Sequence, residues 1–167
     1  MLQHAEHGFD PVYDKESRIL ILGSFPSVKS REQAFYYGHP QNRFWKVLVA
    51  LADTEVPQTI EEKKGWLHTH HIAVYDVIEA CDIEGSSDSS IRNVTPADIR
   101  TIIAQSNVSH IFTNGKLAGK LYRRYQAKTC DLPMTELPST SPANAAYSLD
   151  KLIAAWQDIK AYSQFDI

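Results

Sequence analysis

The chain predicts an α/β fold, a three-layer α/β/α sandwich around a short, mainly parallel four-stranded sheet. Four short apolar runs, rich in Ile and Val and closed by turn or polar residues, read as buried strands. Between them lie segments with apolar residues at helical spacing, and strands alternating with helices imply parallel pairing through right-handed crossovers. A third observation places a ligand. The first and last strands both run out into loops rich in Pro and Ser, and open parallel sheets build their sites on that rim.

Residues 18–25 form the first strand, where Arg18-Ile-Leu-Ile-Leu22 breaks into Gly23-Ser-Phe-Pro-Ser27. A helix over 42–51 puts Phe44, Val47, Leu48 and Leu51 on one face, and another over 60–69 carries Trp66 and Leu67. The second strand spans 72–78. Thr95-Pro96-Ala-Asp98 reads as a helix start, with a capping hydroxyl, a first-turn proline and an acid, leading into Ile99, Ile102 and Ile103. Strand 108–113 turns through Asn114-Gly115 into a helix over 116–125, and 129–137 is the fourth strand. Leu149, Leu152, Ile153, Trp156 and Ile159 mark a closing helix with Asp150, Lys151, Gln157 and Asp158 toward water. Gly85-Ser-Ser-Asp-Ser-Ser90, a low-complexity stretch, is expected to be an exposed mobile loop.

A length of 167 residues suits one domain over 1–167, which buries roughly 70% of its unfolded surface. No apolar run approaches a membrane span and the N-terminus lacks the regions of a signal peptide, so cytoplasmic residence without a membrane partner is expected. Cys81 and Cys130 are too few for a disulfide framework or a four-cysteine metal site and are expected as reduced core thiols. The formal charge of −3 argues against tight, sequence-blind coating of nucleic acid. It leaves room for a local basic face, since Lys116, Lys120, Arg123, Arg124 and Lys128 cluster in one segment and Lys29, Arg31, Arg43 and Lys46 in another. Scattered solvated cations are the plainer account.

Several loops carry residues fit for chemistry. Glycine lets Gly23-Ser24-Phe25-Pro26-Ser27 approach a ligand closely, proline stiffens it, and its N–H groups suit an anion or a base carbonyl; an ordinary turn uses the same residues. Asn42 stands where a helix begins, so it is either an N-cap or an uncharged amide able to hold water or a leaving group. Tyr36, Tyr37, Phe44 and Trp45 surround it, divided between core packing and stacking on a base. His39 is either a surface turn residue or a phosphate donor. Ser139-Thr140-Ser141-Pro142-Ala143-Asn144 offers three hydroxyls that either cap the following helix or grip a phosphodiester. His68, His70 and His71 lack an acidic or cysteine partner at suitable spacing, so no metal site is expected. No Gly-x-Ser-x-Gly elbow is present.

Five segments in order, Leu22-Gly-Ser-Phe-Pro-Ser27, Tyr36-Tyr-Gly-His-Pro-Gln-Asn-Arg-Phe-Trp45, Tyr75-Asp-Val77, Phe112-Thr-Asn-Gly115 and Leu137-Pro-Ser-Thr-Ser-Pro-Ala-Asn144, resemble the uracil-DNA glycosylase superfamily. Within it the chain most resembles the hypoxanthine-DNA (deoxyinosine) glycosylase branch, over residues 18–156. The resemblance implies an α/β/α sandwich that hydrolyses the N-glycosidic bond of a deaminated base in DNA. Most of the superfamily carries an Asp or Asn for the attacking water just before the proline of the first loop, where this chain has Phe25. The branch instead has its important asparagine in His-Pro-x-Asn, here Asn42, which favours hypoxanthine over uracil.

On that footing the expected partner is DNA containing deaminated bases, bound by a monomer without metal or organic cofactor. Asn42 orients water against the sugar. Phe25 stacks on the extruded base in a pocket shared with Pro26, while the backbone of Gly23 and Ser24, with Asp76 or Asn114, reads its edge. Ser27, His39, Ser139, Thr140 and Ser141 are the expected DNA contacts, and Pro142, Ala143 or Asn144 fills the vacated space. No lysine or terminal amine is placed for Schiff-base chemistry, so strand nicking is not expected. Asn42 must then share one cleft with the serine-rich turn near residue 140. The competing readings are a uracil or mismatch glycosylase of the same superfamily, a non-catalytic nucleic-acid-binding module, and a metabolite-binding domain.

Overall fold

In the computed structural model, which describes residues 1–162, the first strands and helices are β1 (Gln3–Glu6), β2 (Ile19–Gly23), α1 (Val28–Gln33), α2 (Phe44–Ala52) and α3 (Ile60–Thr69). There follow β3 (Ile72–Asp76), β4 (Ile78–Ile83), β5 (Arg92–Pro96), α4 (Arg100–Ala104), β6 (His110–Asn114), α5 (Lys116–Tyr125), β7 (Met134–Leu137) and α6 (Leu149–Ala155). Residues 163–167 of the expected domain lie outside the described residues.

β2 and β3 are apolar along nearly their whole length because helices cover both faces of their sheet. That sheet is parallel, ordered β3-β2-β6-β7, with Ile19 to Leu22 fully enclosed. Its register fixes the site. Gly23 lies opposite Asp76, Leu22 opposite Thr113 and Asn114 opposite Leu137, so the C-terminal ends of all four strands finish in one row. The loops after β2 and β7 therefore open on one rim, as the α/β sandwich requires.

A second, antiparallel sheet ordered β1-β4-β5 was not expected. The strand expected over 72–78 ends at Asp76. Val77 donates its N–H to the Gly23 carbonyl, and the chain swings into β4, which pairs with β1 and β5. The helix start expected at Thr95-Pro96 is also corrected. Both residues belong to β5, an edge strand where proline costs no ladder hydrogen bond, and the helix begins after Asp98, whose carboxylate accepts the Thr101 N–H. Residues 127–129 form a 3₁₀ turn, which leaves only the last part of the expected 129–137 strand in the sheet. The closing helix is α-helical to Ala155 and 3₁₀ over Trp156–Ala161, yet Leu152, Trp156 and Ile159 are buried together as their spacing predicts. The serine-rich stretch after Gly85 is exposed but tethered to α1, through Val28 N–H to Ser86 Oγ (2.9 Å) and Arg31 Nη2 to the Gly85 carbonyl (2.8 Å). Both cysteines are buried free thiols. Among the described residues no helix is long and apolar enough to cross a membrane.

Candidate active site

The rim encloses a cavity of about 390 Å3, within the range of small-molecule sites. Gly23, Ser24, Phe25, Pro26 and Ser27 form one wall, and Ser139, Thr140, Ser141, Pro142 and Ala143 the facing one. Asp76, Asn114, Tyr37, His39 and Asn42 line the space between. Asn144 is the one expected site residue outside the lining. Its Nδ2 donates to the Ser139 carbonyl (3.0 Å) and so braces the turn from behind.

Asn42 does two jobs. Its Oδ1 accepts the Phe44 N–H (2.9 Å), which caps α2, and also the Thr140 hydroxyl (2.8 Å). Both oxygen lone pairs are thereby occupied, and the amide group left to act on a ligand is the Nδ2 donor. Thr140 is fully buried. Its Oγ1 takes a hydrogen bond from Asn114 Nδ2 (3.0 Å) while giving one to Asn42, and its N–H donates to Asn114 Oδ1 (3.0 Å). This corrects the expectation that the Thr140 hydroxyl contacts DNA. The hydroxyl is a relay between two asparagines, and Asn114 commits its oxygen and one amide hydrogen to the same network.

Arg43, next to Asn42, holds the serine-rich turn in shape. Its backbone N–H and Nε reach the Thr140 carbonyl (3.0 and 3.4 Å), Nη2 donates to the Ser141 and Asn144 carbonyls (2.9 and 3.1 Å), and Nη1 donates to the Tyr147 carbonyl. A planar guanidinium supplies this fork and lysine does not. Arg43→Ala is expected to cost about 2–3 kcal/mol of stability, since the hydrogen bonds lost are charge-assisted; a urea midpoint checks it. Ser139 and Ser141 accept N–H groups from within the turn, Ser141 N and Ala143 N respectively, while Pro142 and Ala143 stand exposed at the rim.

At the floor, Gly23 is required by packing. A Cβ there would lie 2.3 Å from Asp76 Oδ1 and 3.1 Å from Tyr37 Oη. Tyr37 adopts φ +54° and stacks on Phe44 with ring centroids 3.9 Å apart, which brings its hydroxyl to the floor beside Asn114. Burial, then the Asp76 carboxylate, pushes the Tyr36 and Tyr37 phenols far up, so both remain protonated. Tyr36, Phe44 and Trp45 are core residues; Tyr36 and Tyr37 both border the cavity, and of the two Tyr37 is the half-buried one. Phe25 lines the cavity with the Arg31 guanidinium 5.2 Å from its ring centroid. His39 accepts the Gln41 N–H at Nδ1. Ser27 caps α1 by accepting the Ser30 N–H. Away from the rim, His68 pairs with Asp14 (3.1 Å), and His70 contacts the Trp66 carbonyl (2.9 Å).

The sequence reading missed His7, which is 2% exposed and holds Asp76 Oδ2 at 2.7 Å through Nε2. No local pattern signals it, because the partners lie 69 positions apart.

The sequence model of the uracil DNA glycosylase superfamily matches residues 11–160, nearly the whole chain. The chain belongs to the uracil-DNA glycosylase superfamily. It is 31% identical over 150 residues to a Methanosarcina acetivorans protein named hypoxanthine DNA glycosylase, covering 87% of this chain and 92% of that one. A Methanosarcina barkeri protein of the same name is 32% identical over 118 residues, covering 69% and 74%. Among solved structures, the solution NMR structure of a candidate uracil DNA glycosylase from Methanosarcina acetivorans superposes with a TM-score of 0.78 at 29% identity, covering 95% of this chain and 99% of that one. For a superfamily member the first loop is unusual. Phe25 stands before its proline, and Asn42 and Asn114 are the amide side chains that line the cavity.

Proposed function

We propose that this protein is a monofunctional DNA glycosylase that hydrolyses the N-glycosidic bond of deaminated bases, with hypoxanthine in deoxyinosine as its principal substrate. One observation carries the reading: Asn42, whose oxygen is occupied and whose Nδ2 donor remains, lines the same cavity as Asp76, and the Thr140 relay ties that amide to the turn suited to grip a phosphodiester.

A base inside a duplex is out of reach of such a cavity, so the nucleotide is extruded, at a cost of a few kcal/mol that mispaired bases reduce. Pro142 and Ala143 at the rim are the residues placed to enter the gap. Within the cavity, Asp76 Oδ1 accepts a ring N–H, Phe25 packs against the base, and the Tyr37 hydroxyl donates to it. Cleavage develops positive charge on the sugar and negative charge on the leaving base. Hypoxanthine delocalises that charge onto O6, and preorganised donors stabilise it further. Asn42, with only its donor available, holds the water through the water's oxygen or hydrogen-bonds the leaving base; in neither role is it a base. Catalysis is by positioning.

Uracil is a second candidate substrate, because its N3–H presents the same donor to Asp76. Abasic-site formation on matched inosine, uracil and xanthine duplexes tests the assignment, with strand breakage expected only after alkali. Binding without base release on any duplex would instead make this a non-catalytic module. The DNA path is proposed to pass the start of α5, where exposed Lys116 lines the cavity and Lys120 follows one turn later. Lys116→Ala should reduce the slope of log K against log salt by about 1, measured by fluorescence anisotropy. The cavity is built from one chain, and action as a monomer in the cytoplasm is part of the proposal.

A further inference from the structure

His7 and Asp76 form a buried pair beneath the cavity, 2% and 4% exposed. Asp76 has two faces. Oδ2 meets His7 Nε2 at 2.7 Å, whereas Oδ1 lies over Gly23 in the space a Cβ would fill. A carboxylate only accepts, so the proton between the two groups is carried by Nε2. The imidazole is walled by Phe9, Tyr75 and Tyr36, with ring centroids at 4.3, 4.7 and 5.7 Å. Its own backbone N–H is pinned to the Glu79 carbonyl (2.7 Å), immediately after β1 pairs with β4. The histidine can neither leave nor turn freely.

We propose that His7 is a positioning residue for base selection, holding Asp76 so that Oδ1 is presented to the base as a pure acceptor. This rests on reading the cavity as a base pocket. Deamination exchanges a bare ring nitrogen for a ring N–H: adenine N1 becomes hypoxanthine N1–H, and cytosine N3 becomes uracil N3–H. An acceptor at the floor attracts the deaminated base and repels the lone pair of its parent. Without His7 nothing holds Oδ2, so the carboxyl group can turn and Oδ1 is no longer fixed as the acceptor that meets a ring N–H; selectivity falls.

The test measures binding to duplexes carrying an uncleavable 2′-fluoro-arabino inosine or adenosine at one position. The wild-type preference for inosine is expected to drop about tenfold or more in His7→Leu, and to persist in His7→Gln, whose amide can donate to Oδ2. Equal preference in wild type and a folded His7→Leu overturns the role of His7. Should His7→Leu not fold, the imidazole Nε2 proton of the wild-type protein decides by NMR. It should shift on adding the inosine duplex and not on adding an undamaged one, and identical behaviour with both overturns the proposal. Hypoxanthine release by wild type with unchanged selectivity in the variant leaves the glycosylase reading standing, whereas no release from any deaminated duplex overturns both.

Discussion

Asn42→Ala is expected to slow hypoxanthine release from an inosine duplex by about 100- to 1000-fold, the range for removing one preorganised donor, while duplex affinity stays within a few fold. The substitution also removes the acceptor for the Phe44 N–H, a cap worth about 1 kcal/mol, so melting must be followed alongside. Asn42→Asp separates the two effects. A carboxylate keeps both accepted hydrogen bonds, from Phe44 and Thr140, and loses only the Nδ2 donor. Single-turnover rates should be as low for Asn42→Asp as for Asn42→Ala. Retained activity in Asn42→Asp would mean that an acceptor serves the water, contrary to the geometry in which both lone pairs are occupied.

Gly23→Ala is expected to lower kcat/KM on inosine duplexes by about 100-fold, the penalty for displacing a reacting assembly by roughly an ångström, and stability by about 1–3 kcal/mol for overpacking. The added methyl would sit 2.3 Å from Asp76 Oδ1. The strand cannot retreat, since β2 is paired with β3 on one side and β6 on the other. The carboxylate must therefore move, and with it the acceptor at the floor. Steady-state kinetics and a melting curve on one preparation check both numbers, and unchanged values would show that Asp76 has room the structure does not give it.

The parallel sheet was legible through β2, β3 and β6, which are buried apolar runs, and burial on both faces leaves a strong mark; β7, Met-Thr-Glu-Leu at the edge, is buried only at Leu137. The antiparallel sheet was not. β1 is Gln-His-Ala-Glu and β5 is Arg-Asn-Val-Thr-Pro, both largely exposed, so pairing with β4 holds them and no alternation announces them. Thr95 and Pro96 carry every local sign of a helix start, yet an edge strand tolerates the same residues. At the site, the two loops and Asn42 stood out because their residue types are unusual together. What could not be read was the allocation of hydrogen bonds: that Thr140 faces inward, that Arg43 gathers four carbonyls, and that a histidine near the N-terminus reaches Asp76. Such pairings depend on long-range proximity, which one sequence does not display.

The adjacency of Asn42 and Arg43 has a consequence for fidelity. Asn42 lines the cavity and its neighbour grasps the peptide backbone of the turn at residues 140–147, so under the proposed function recognition and hydrolysis would hang on a single dipeptide. A duplex that fails to seat that turn also leaves the amide misaligned. Under the proposed function, intact nucleotides would then be spared by mechanical linkage, before any base reaches the floor.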